Sequence, residues 1–478
     1  MNRKPNILWI VSDHQVHATR PHGRAGFPLQ EFMARHGLSF ERAYSVLPVC
    51  SPARASMLTG LYPHAHGLTE NEGRFGGRSG LDPIQWMIHH PFLEAGYRCA
   101  WFGKWHVDIH RSANHYGFEG CSLPGYGYPY GMPEYAEYLN RMGLDAPVVR
   151  VEIPGESGLD HGQKIRLMEE SDWFDFESGS ARLRGSVRTH EAHFVADQAR
   201  QWIESAGDDP WFVRVDPWGP HPPYLVGEPF GALFEDAQVG LPASFHHDLE
   251  SRPDHHRRYR DYWANTLGIN EGEWCLMYRR ALQHVSQVES ALLELAGAVD
   301  LDNTLVIFNS DHGDAVGTSG GVANKGGLMT EATMQIPLYM AGAGLPTNES
   351  RDQLVSNMDL PATVMTACGM PGDPALHGRS LWPIISSPDQ AWRPGLLTQH
   401  YGLHEPIVQR AWYEGEWKLV MQPDGFRELY RLSEDPGEVH NLAGQAGVSN
   451  RESQLVTAMF RAMSDIGDDA LIACSRDT

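Results

Sequence analysis

Short apolar runs recur along the chain, and each one ends in a cluster of polar residues. Runs of this kind, rich in β-branched and aromatic side chains, are typical of strands buried on both faces of a sheet. Four of them span Asn6 to Val11, Arg98 to Phe102, Trp211 to Val215 and Thr304 to Phe308. The sequence therefore predicts four buried strands, each with polar side chains just beyond its carboxyl end.

Helical patterns lie between these runs, notably Thr189 to Ser205 and Trp274 to Ala298, the second with an apolar stripe at helical spacing. Strands that alternate with helices predict an α/β fold, in which a large, mostly parallel sheet is sandwiched by helices. Such sheets bind ligands beyond the carboxyl ends of their strands. We therefore expect the polar clusters to meet at one edge of the sheet.

The pattern changes after Pro383, where short segments separated by turns replace the longer units. Four segments are typical of antiparallel strands, and a helix around Arg451 to Ser464 follows them. The segments are Leu396 to Gln399, Ile407 to Tyr413, Trp417 to Met421 and Glu428 to Leu432. These features predict a larger α/β domain over residues 1–384 and a smaller C-terminal α+β subdomain, built on a short antiparallel sheet, over residues 385–478.

Two long stretches, about 120–185 and 228–262, show little periodicity. We predict that they are insertions over the strand ends, because long loops in compact domains are commonly lids or binding loops. The second includes a histidine-rich run over residues 245–258. We interpret that run as a solvated helix face.

Charge and composition restrict the partners. The chain has 478 residues and a formal net charge of −22, which argues against nucleic acid and anionic membranes. An anionic substrate would therefore need a local cationic pocket. The basic start has no signal-peptide pattern and no stretch approaches a membrane span, so we expect a cytoplasmic protein. Six scattered cysteines without paired spacing predict free thiols.

One cysteine, Cys50, lies at the start of a short predicted helix. Ser51 is placed to cap this helix, and Pro52 suits its first position. Gly60 supplies the stop. The free amides and the dipole at a helix start favour an anion, so the first hypothesis is an anion site built around Cys50. The alternative is a small, buried, structural cysteine.

The segment that begins at Cys50, C-S-P-A-R-A-S-M-L-T-G, resembles the signature of the type I sulfatases, the formylglycine-dependent family of the alkaline phosphatase superfamily. In that family the cysteine is converted after translation to formylglycine (3-oxoalanine), whose hydrate is the nucleophile. The resemblance implies a formylglycine-generating maturation enzyme that reads Cys50, Pro52 and Arg54. It also makes Arg54 part of the finished site.

A metal site is expected near the same helix. Asp13, Asp311 and His312 follow two of the predicted strands, and hard oxygen ligands suit Ca²⁺, Mg²⁺ or Mn²⁺. In the sulfatases the matching positions hold one divalent ion together with an oxygen of the formylglycine, here Cys50. Ca²⁺ is the first expectation. Mn²⁺ and Mg²⁺ stay open, because His14 stands where many members have a second aspartate and His312 where many have asparagine.

Four further residues match catalytic elements of the family: Lys104 and His106 in G-K-W-H, His221 in P-H-P-P, and Lys325. By resemblance, Lys104 and Lys325 bind the sulfate oxygens, and His106 holds or deprotonates the formylglycine hydrate. His221 faces the leaving oxygen. Each residue type is commonplace alone, whereas their joint occurrence in this order at strand ends indicates one site.

The sequence thus predicts a sulfatase that hydrolyses a small anionic sulfate monoester to an alcohol and inorganic sulfate. Two alternatives stay open. One is a phosphonate monoester or phosphodiester hydrolase on the same scaffold, since tetrahedral anions differ little in shape. The other is an unmodified, non-catalytic anion-binding protein. Neither nucleic acid nor a membrane is expected as a partner, and a homo-oligomer is left open.

Overall fold

A computed structural model describes residues 4–15, 25–127, 129–153, 155, 179–234, 239–325 and 327–471. The strands in this part of the chain are β1 (Asn6–Ser12), β2 (Gly37–Phe40), β3 (Ala43–Tyr44), β4 (Arg98–Lys104), β5 (Glu119–Leu123), β6 (Val148–Ile153), β7 (Ser180–Arg184), β8 (Trp211–Asp216), β9 (Tyr224–Val226), β10 (Thr304–Ser310), β11 (Leu338–Gly342), β12 (Glu349–Arg351), β13 (Val355–Ser356), β14 (Gly395–Gly402), β15 (Pro406–Glu414), β16 (Trp417–Met421) and β17 (Arg427–Arg431).

The α-helices in the same residues are α1 (Pro28–His36), α2 (Cys50–Thr59), α3 (Pro63–His66), α4 (His89–Glu94), α5 (Pro133–Met142), α6 (Glu191–Ala206), α7 (Asp254–Leu267), α8 (Glu271–Ala296), α9 (Glu331–Met334), α10 (Leu360–Ala367), α11 (Trp382–Ser386) and α12 (Ser449–Asp465). None of these helices is both long and apolar enough to cross a membrane. The five cysteines that lie within the described residues are all free, as expected, and Cys474 lies outside them.

Eight strands form the large sheet, in the order β12-β2-β11-β10-β1-β8-β4-β5. The neighbours from β10 to β5 all run parallel, and β11 is antiparallel to both of its neighbours. The four strands predicted from the apolar runs, β1, β4, β8 and β10, are adjacent at the centre of this sheet. The predicted α/β fold with a large, mostly parallel sheet is therefore confirmed.

Strand β1 shows how the two faces of the sheet are covered. Ile7 and Trp9 pack into the hydrophobic cluster on one face, and Leu8 and Ile10 pack into the cluster on the other. Helices α2, α4 and α10 contribute to the first cluster, and α6 and α8 to the second. Because both faces are buried, most polar side chains that could form a site are displaced to the strand ends.

The C-terminal strands form an antiparallel sheet in the order β14-β15-β16-β17. Helix α12 packs against it through Leu455 and Met459. From β16, the fully buried Lys418 pairs with Glu331 of α9 at 3.3 Å and with Glu438 at 2.8 Å. The smaller α+β unit is thus confirmed, while its boundary at residue 385 stays a prediction.

The two predicted insertions are more ordered than their sequence indicates, although residues 128, 154, 156–178 and 235–238 lie outside the described residues. Strands β6 and β7 of the first insertion form a three-stranded sheet with β9, which precedes the second insertion. The interpretation of the histidine-rich run as a solvated face is wrong for His255 and His256, which are 3% and 1% exposed. The segment is buried because it packs towards the C-terminal sheet, where Arg252 Nη1 donates to Glu428 Oε2 at 2.6 Å.

The start of α2 also differs from expectation. The helix begins at Cys50, after Val49, and no side chain caps it, so the predicted Ser51 cap is wrong. The Ser51 amide instead donates to Asn71 Oδ1 at 3.0 Å. The predicted stop is confirmed, because Gly60 has a φ of 67° and its N–H donates to Ser56 O at 2.8 Å.

Candidate active site

Four neighbouring strand ends supply polar side chains to one place. Asp13 follows β1, Lys104 ends β4, Asp216 ends β8 and Asp311 follows β10. The register pairs Ser12 with Ser310 across β1 and β10, so the two aspartates that follow leave the sheet side by side. Backbone bonds hold the edge together, since the Asp311 N–H donates to Ser12 O and the Asp13 N–H to Gly219 O, both at 3.2 Å.

Arg54 joins these strand ends to α2. Its Nε donates to Asp311 Oδ2 at 3.0 Å, and its Nη1 donates to Asp216 Oδ2 at 2.7 Å. Its Nη2 lies 3.4 Å from Asp13 Oδ1. All of these side chains are fully buried. Cys50 stands four residues before Arg54, on the same face of the helix, so the pairing of Arg54 fixes where Cys50 sits.

Cys50 is 1% exposed, and its Sγ lies 3.2 Å from His312 Nε2. Burial alone would raise the pKa of its thiol, but the nearby ammonium groups of Lys104 and Lys325 outweigh burial and hold that pKa well below its usual range. The first hypothesis from the sequence is an anion site beside Cys50. The charges around the buried sulfur favour a negative group at that position.

The donor set at Cys50 fits a divalent cation. Ligand atoms of Asp13, Cys50, Asp311 and His312 lie within 4.8 Å of one another, and all four residues are buried. Asp13 Oδ1 has no hydrogen-bond donor, which leaves a buried carboxylate oxygen directed at this space. His312 Nδ1 donates to Gly313 O at 2.8 Å, so its Nε2 keeps a lone pair for a ligand bond.

The acidities of the two carboxylates diverge. Burial raises the pKa of Asp13, but Lys104, His221 and Arg54 outweigh it and bring that pKa well below the usual value. Burial raises the pKa of Asp311 to about 6. A cation bound between the carboxylates of Asp13 and Asp311 would stabilise the ionised form of both.

His14 does not join the group of four. Its Nδ1 lies 3.3 Å from Asp314 Oδ2, and its ring packs beside those of His221 and His312 with centroids 4.8 and 4.9 Å away. Tyr224 donates to the same Asp314 oxygen. His14 therefore borders the site on the side of the 310–314 turn.

Of the remaining predicted residues, Lys104 and Lys325 lie near Cys50, and the ring of His106 lies beside that of Tyr126 with centroids 5.5 Å apart. The ammonium of Lys104 pairs with Asp13 and lies 4.2 Å from the centroid of the Tyr126 ring. Lys325 is 3% exposed and acts electrostatically on Cys50. His106 Nε2 lies 3.8 Å from Glu72 Oε1. The structure thus brings together all the residues that the sequence indicated.

His221 belongs to the turn that follows β8. Its Nδ1–H donates to Pro222 O at 2.7 Å, which leaves Nε2 as the free ring nitrogen. Burial and the charge of Lys325 lower the pKa of His221 to about 3. Its ring centroid is 5.2 Å from that of Tyr126, so the same tyrosine borders both Lys104 and His221.

Two acidic residues of the site were missed from sequence. Asp216 binds Arg54 and also accepts from Arg214 Nη2 at 2.7 Å. Its position just after a predicted strand was a usable signal. Glu191 accepts from the amides of Gly219 and Trp218, and although these bonds lower its pKa, burial raises that pKa to about 7.

Comparisons with known proteins point to one family. The family model "Sulfatase" matches residues 5–370, and the model "N-sulphoglucosamine sulphohydrolase, C-terminal" matches residues 324–465. The uncharacterized sulfatase YidJ of Escherichia coli is 26% identical over 98% of this chain and 88% of its own length. The choline-sulfatase of Rhizobium meliloti is 26% identical over 92% of this chain and 82% of its own length.

Solved structures share the fold. The phosphonate monoester hydrolase of Silicibacter pomeroyi superposes with a TM-score of 0.77 at 19% identity, covering 98% of this chain and 97% of that one. A protein solved with its substrate D-glucosamine-2-N,6-O-disulfate superposes with a TM-score of 0.71 at 18% identity, covering 98% and 99%. At these identities the likeness establishes the architecture alone.

The pairing of Arg54 and Arg214 with Asp216 yields a first prediction. Asp216→Asn leaves two buried guanidinium groups short of one negative charge, which costs about 3–5 kcal/mol of unfolding free energy and is measured by urea unfolding. The matched control is Glu119→Gln, which removes a surface pair with Arg98 and should cost about 0–1 kcal/mol. Equal losses in the two variants would contradict the importance assigned to Asp216.

Proposed function

As a member of the sulfatase family, the chain is a sulfuric ester hydrolase, and we propose that it cleaves the S–O bond of a sulfate monoester at Cys50 after conversion of this residue to formylglycine. The observation that carries the proposal is the convergence of Cys50 with Asp13, Asp311 and His312, whose ligand atoms lie within 4.8 Å of one another. In this reading Cys50 Sγ stands where an oxygen of the formylglycine hydrate would be. The maturation enzyme that makes this change is part of the proposal.

The cations of the site match a sulfate group. A sulfate ester is a poor electrophile until the charge on its nonbridging oxygens is neutralised. Lys104 and Lys325 lie close enough to Cys50 to lower the pKa of its thiol, so they would also face an anionic group that reacts there. Arg54 is paired with aspartates, so it holds helix α2 in place and adds positive charge to the site without facing the substrate itself.

Asp13, Asp311 and His312 would hold one divalent cation together with residue 50. When bound, that ion would polarise the sulfate and acidify the attacking hydroxyl of the hydrate. The hydrate's second hydroxyl provides the route by which sulfate is later eliminated, a route that a serine ester lacks. Oxygen ligands from two aspartates favour Ca²⁺, whereas the imidazole of His312 keeps Mn²⁺ and Mg²⁺ as alternatives.

Two histidines would move the protons. His106, beside Glu72, is placed to take a proton from the hydrate. His221 presents Nε2 and would protonate the leaving oxygen. In the substrate-free site burial, and then the charge of Lys325, lower its pKa to about 3. A bound sulfate ester adds a negative charge that raises this pKa, so His221 can act as the acid once substrate is present.

Modification of Cys50 is the first test. Mass spectrometry of the tryptic peptide Ala43 to Arg54, from protein made in its native host, should show an aldehyde in place of the thiol. Peptide Cys99 to Lys104, which carries another buried cysteine, serves as the unmodified control. Cys50→Ala should lower kcat by about 10³-fold or more with an unchanged circular dichroism spectrum. An intact thiol in protein from its native host would refute the mechanism and favour the unmodified, non-catalytic anion-binding protein.

Metal removal is the second test. Dialysis against EDTA should abolish turnover, and Ca²⁺ or Mn²⁺ should restore it, with about one ion per chain by elemental analysis. Asp311→Asn should lose the ion and the activity together, because it removes one of two carboxylates from the set. EDTA saturated with Ca²⁺ is the control. Full turnover by protein shown to contain no metal would contradict the assignment.

The second candidate function is phosphonate monoester hydrolysis, because tetrahedral anions differ little in shape and the fold is shared with the phosphonate monoester hydrolase of Silicibacter pomeroyi. A sulfate monoester has three nonbridging oxygens, whereas a phosphonate monoester has two and a carbon substituent. One of the two lysines would then lose its oxygen partner. We expect kcat/KM for 4-nitrophenyl sulfate to exceed that for 4-nitrophenyl phenylphosphonate about tenfold or more, which corresponds to ~1.4 kcal/mol of transition-state binding. The reverse order would support the phosphonate hydrolase.

A further inference from the structure

Glu191 is a buried carboxylate next to the site that has no part in the steps above. It is the first residue of α6, is 3% exposed, and its own N–H donates to Tyr130 Oη at 3.3 Å. Its carboxylate does not contact the metal-binding residues. It accepts two backbone amides of the turn after β8, from Gly219 at 2.7 Å and from Trp218 at 3.2 Å.

That turn connects two parts of the active site. The carbonyl of Gly219 accepts the N–H of Asp13 at 3.2 Å, and the carbonyl of Trp218 accepts the N–H of His221 at 3.3 Å. Glu191 thus binds the N–H groups of Trp218 and Gly219, and the carbonyl groups of the same two residues bind the backbone of His221 and Asp13. One carboxylate thus sets the position of the turn that carries His221.

The surroundings leave the turn little freedom to move. A Cβ added at Gly219 would lie 2.6 Å from Val288 Cγ2, 3.2 Å from Glu191 Oε1 and 3.3 Å from His284 Nε2. His190 Nε2 lies 2.9 Å from His284 Nε2, so these two buried rings form a hydrogen-bonded pair behind the turn. Without the two bonds from Glu191, the amides of Trp218 and Gly219 would be buried and unpaired, which is costly.

A small cavity lies at the same place. It has a volume of about 20 Å³ and is lined in part by His190, Glu191, His221 and His284. A space of this size accommodates about one water molecule, and its lining offers the two or more polar partners that a buried water needs. The rest of the lining is largely aromatic rings, prolines and Leu225, so the few polar groups of this pocket lie in mostly apolar surroundings beside His221.

We propose that Glu191 is a positioning residue for proton transfer to the leaving group, because its carboxylate fixes the turn that aims His221 at the leaving oxygen. The inference rests on the proposed function, in which His221 is the acid. It assigns Glu191 no contact with substrate. A loosened turn would leave sulfate binding by Lys104 and Lys325 in place and would weaken protonation, so kcat should fall more than KM rises.

The test is the dependence of rate on the leaving group. A series of aryl sulfates with phenols of decreasing acidity, extended to an alkyl sulfate, is measured for the wild type, His221→Ala and Glu191→Gln. An acidic phenol leaves without a proton, whereas an alcohol needs one. His221→Ala should steepen the dependence. Glu191→Gln should steepen it in the same direction, with kcat for the alkyl sulfate reduced about 10²-fold, as for a misplacement of about 1 Å, and KM nearly unchanged.

Glu289→Gln is the matched control. Glu289 is another fully buried carboxylate, and burial raises its pKa to about 7. It binds Gln15 and Gln30 rather than the turn. Its loss should lower the urea midpoint without changing the leaving-group dependence. Where Glu191→Gln does not fold, Glu191→Asp withdraws the carboxylate by one methylene and should act in the same direction.

The outcomes separate the two claims. A leaving-group dependence in Glu191→Gln that equals that of the wild type, while His221→Ala is steeper, overturns the positioning role and leaves the proposed function intact. A wild-type dependence in His221→Ala overturns the acid role, and the positioning role with it. A steeper dependence in Glu289→Gln as well would reduce the effect of Glu191 to general loss of stability.

Discussion

The site depends on the burial of one guanidinium. Arg54 has no exposed surface, and a charge in that position is tolerated only when its N–H groups are paired. Its partners, Asp311 and Asp216, end two different strands of the sheet. Helix α2 therefore docks where both bonds form together, and Cys50, one helical turn earlier, is carried to the end of β10 beside His312.

Buried charge is balanced locally and not over the whole chain. The formal charge of −22 would repel an anionic substrate at a distance, yet Lys104 and Lys325 dominate the surroundings of Cys50 and lower the pKa of its thiol. In the proposed function, selectivity for an anion thus arises within a few ångströms of the strand ends. The low polarity of the surrounding sheet strengthens these short-range interactions.

Much of this site could be predicted because its signals are local. An apolar run followed by a polar cluster reports a strand end, and parallel strands bring their ends together, which placed Asp13, Lys104 and Asp311 correctly. The features that failed depend on distant contacts. The Ser51 amide is bound by Asn71 in place of a cap, and the face of α7 that holds His255 is covered near the C-terminal sheet. A local pattern cannot show which surface a helix will meet.

The contacts of Glu331, the first residue of α9, bear on the order in which the protein assembles. The Glu331 N–H donates to Glu438 Oε2 at 2.8 Å, and the Glu331 carboxylate pairs with Lys418 of β16. Both partners are synthesised about a hundred residues after Lys325, as the numbering shows. A ribosome-bound chain that already contains Cys50, Lys104 and His221 therefore lacks both of these partners of Glu331. A chain truncated before β16 would therefore present Cys50 while α9, six residues after Lys325, is still without its C-terminal contacts.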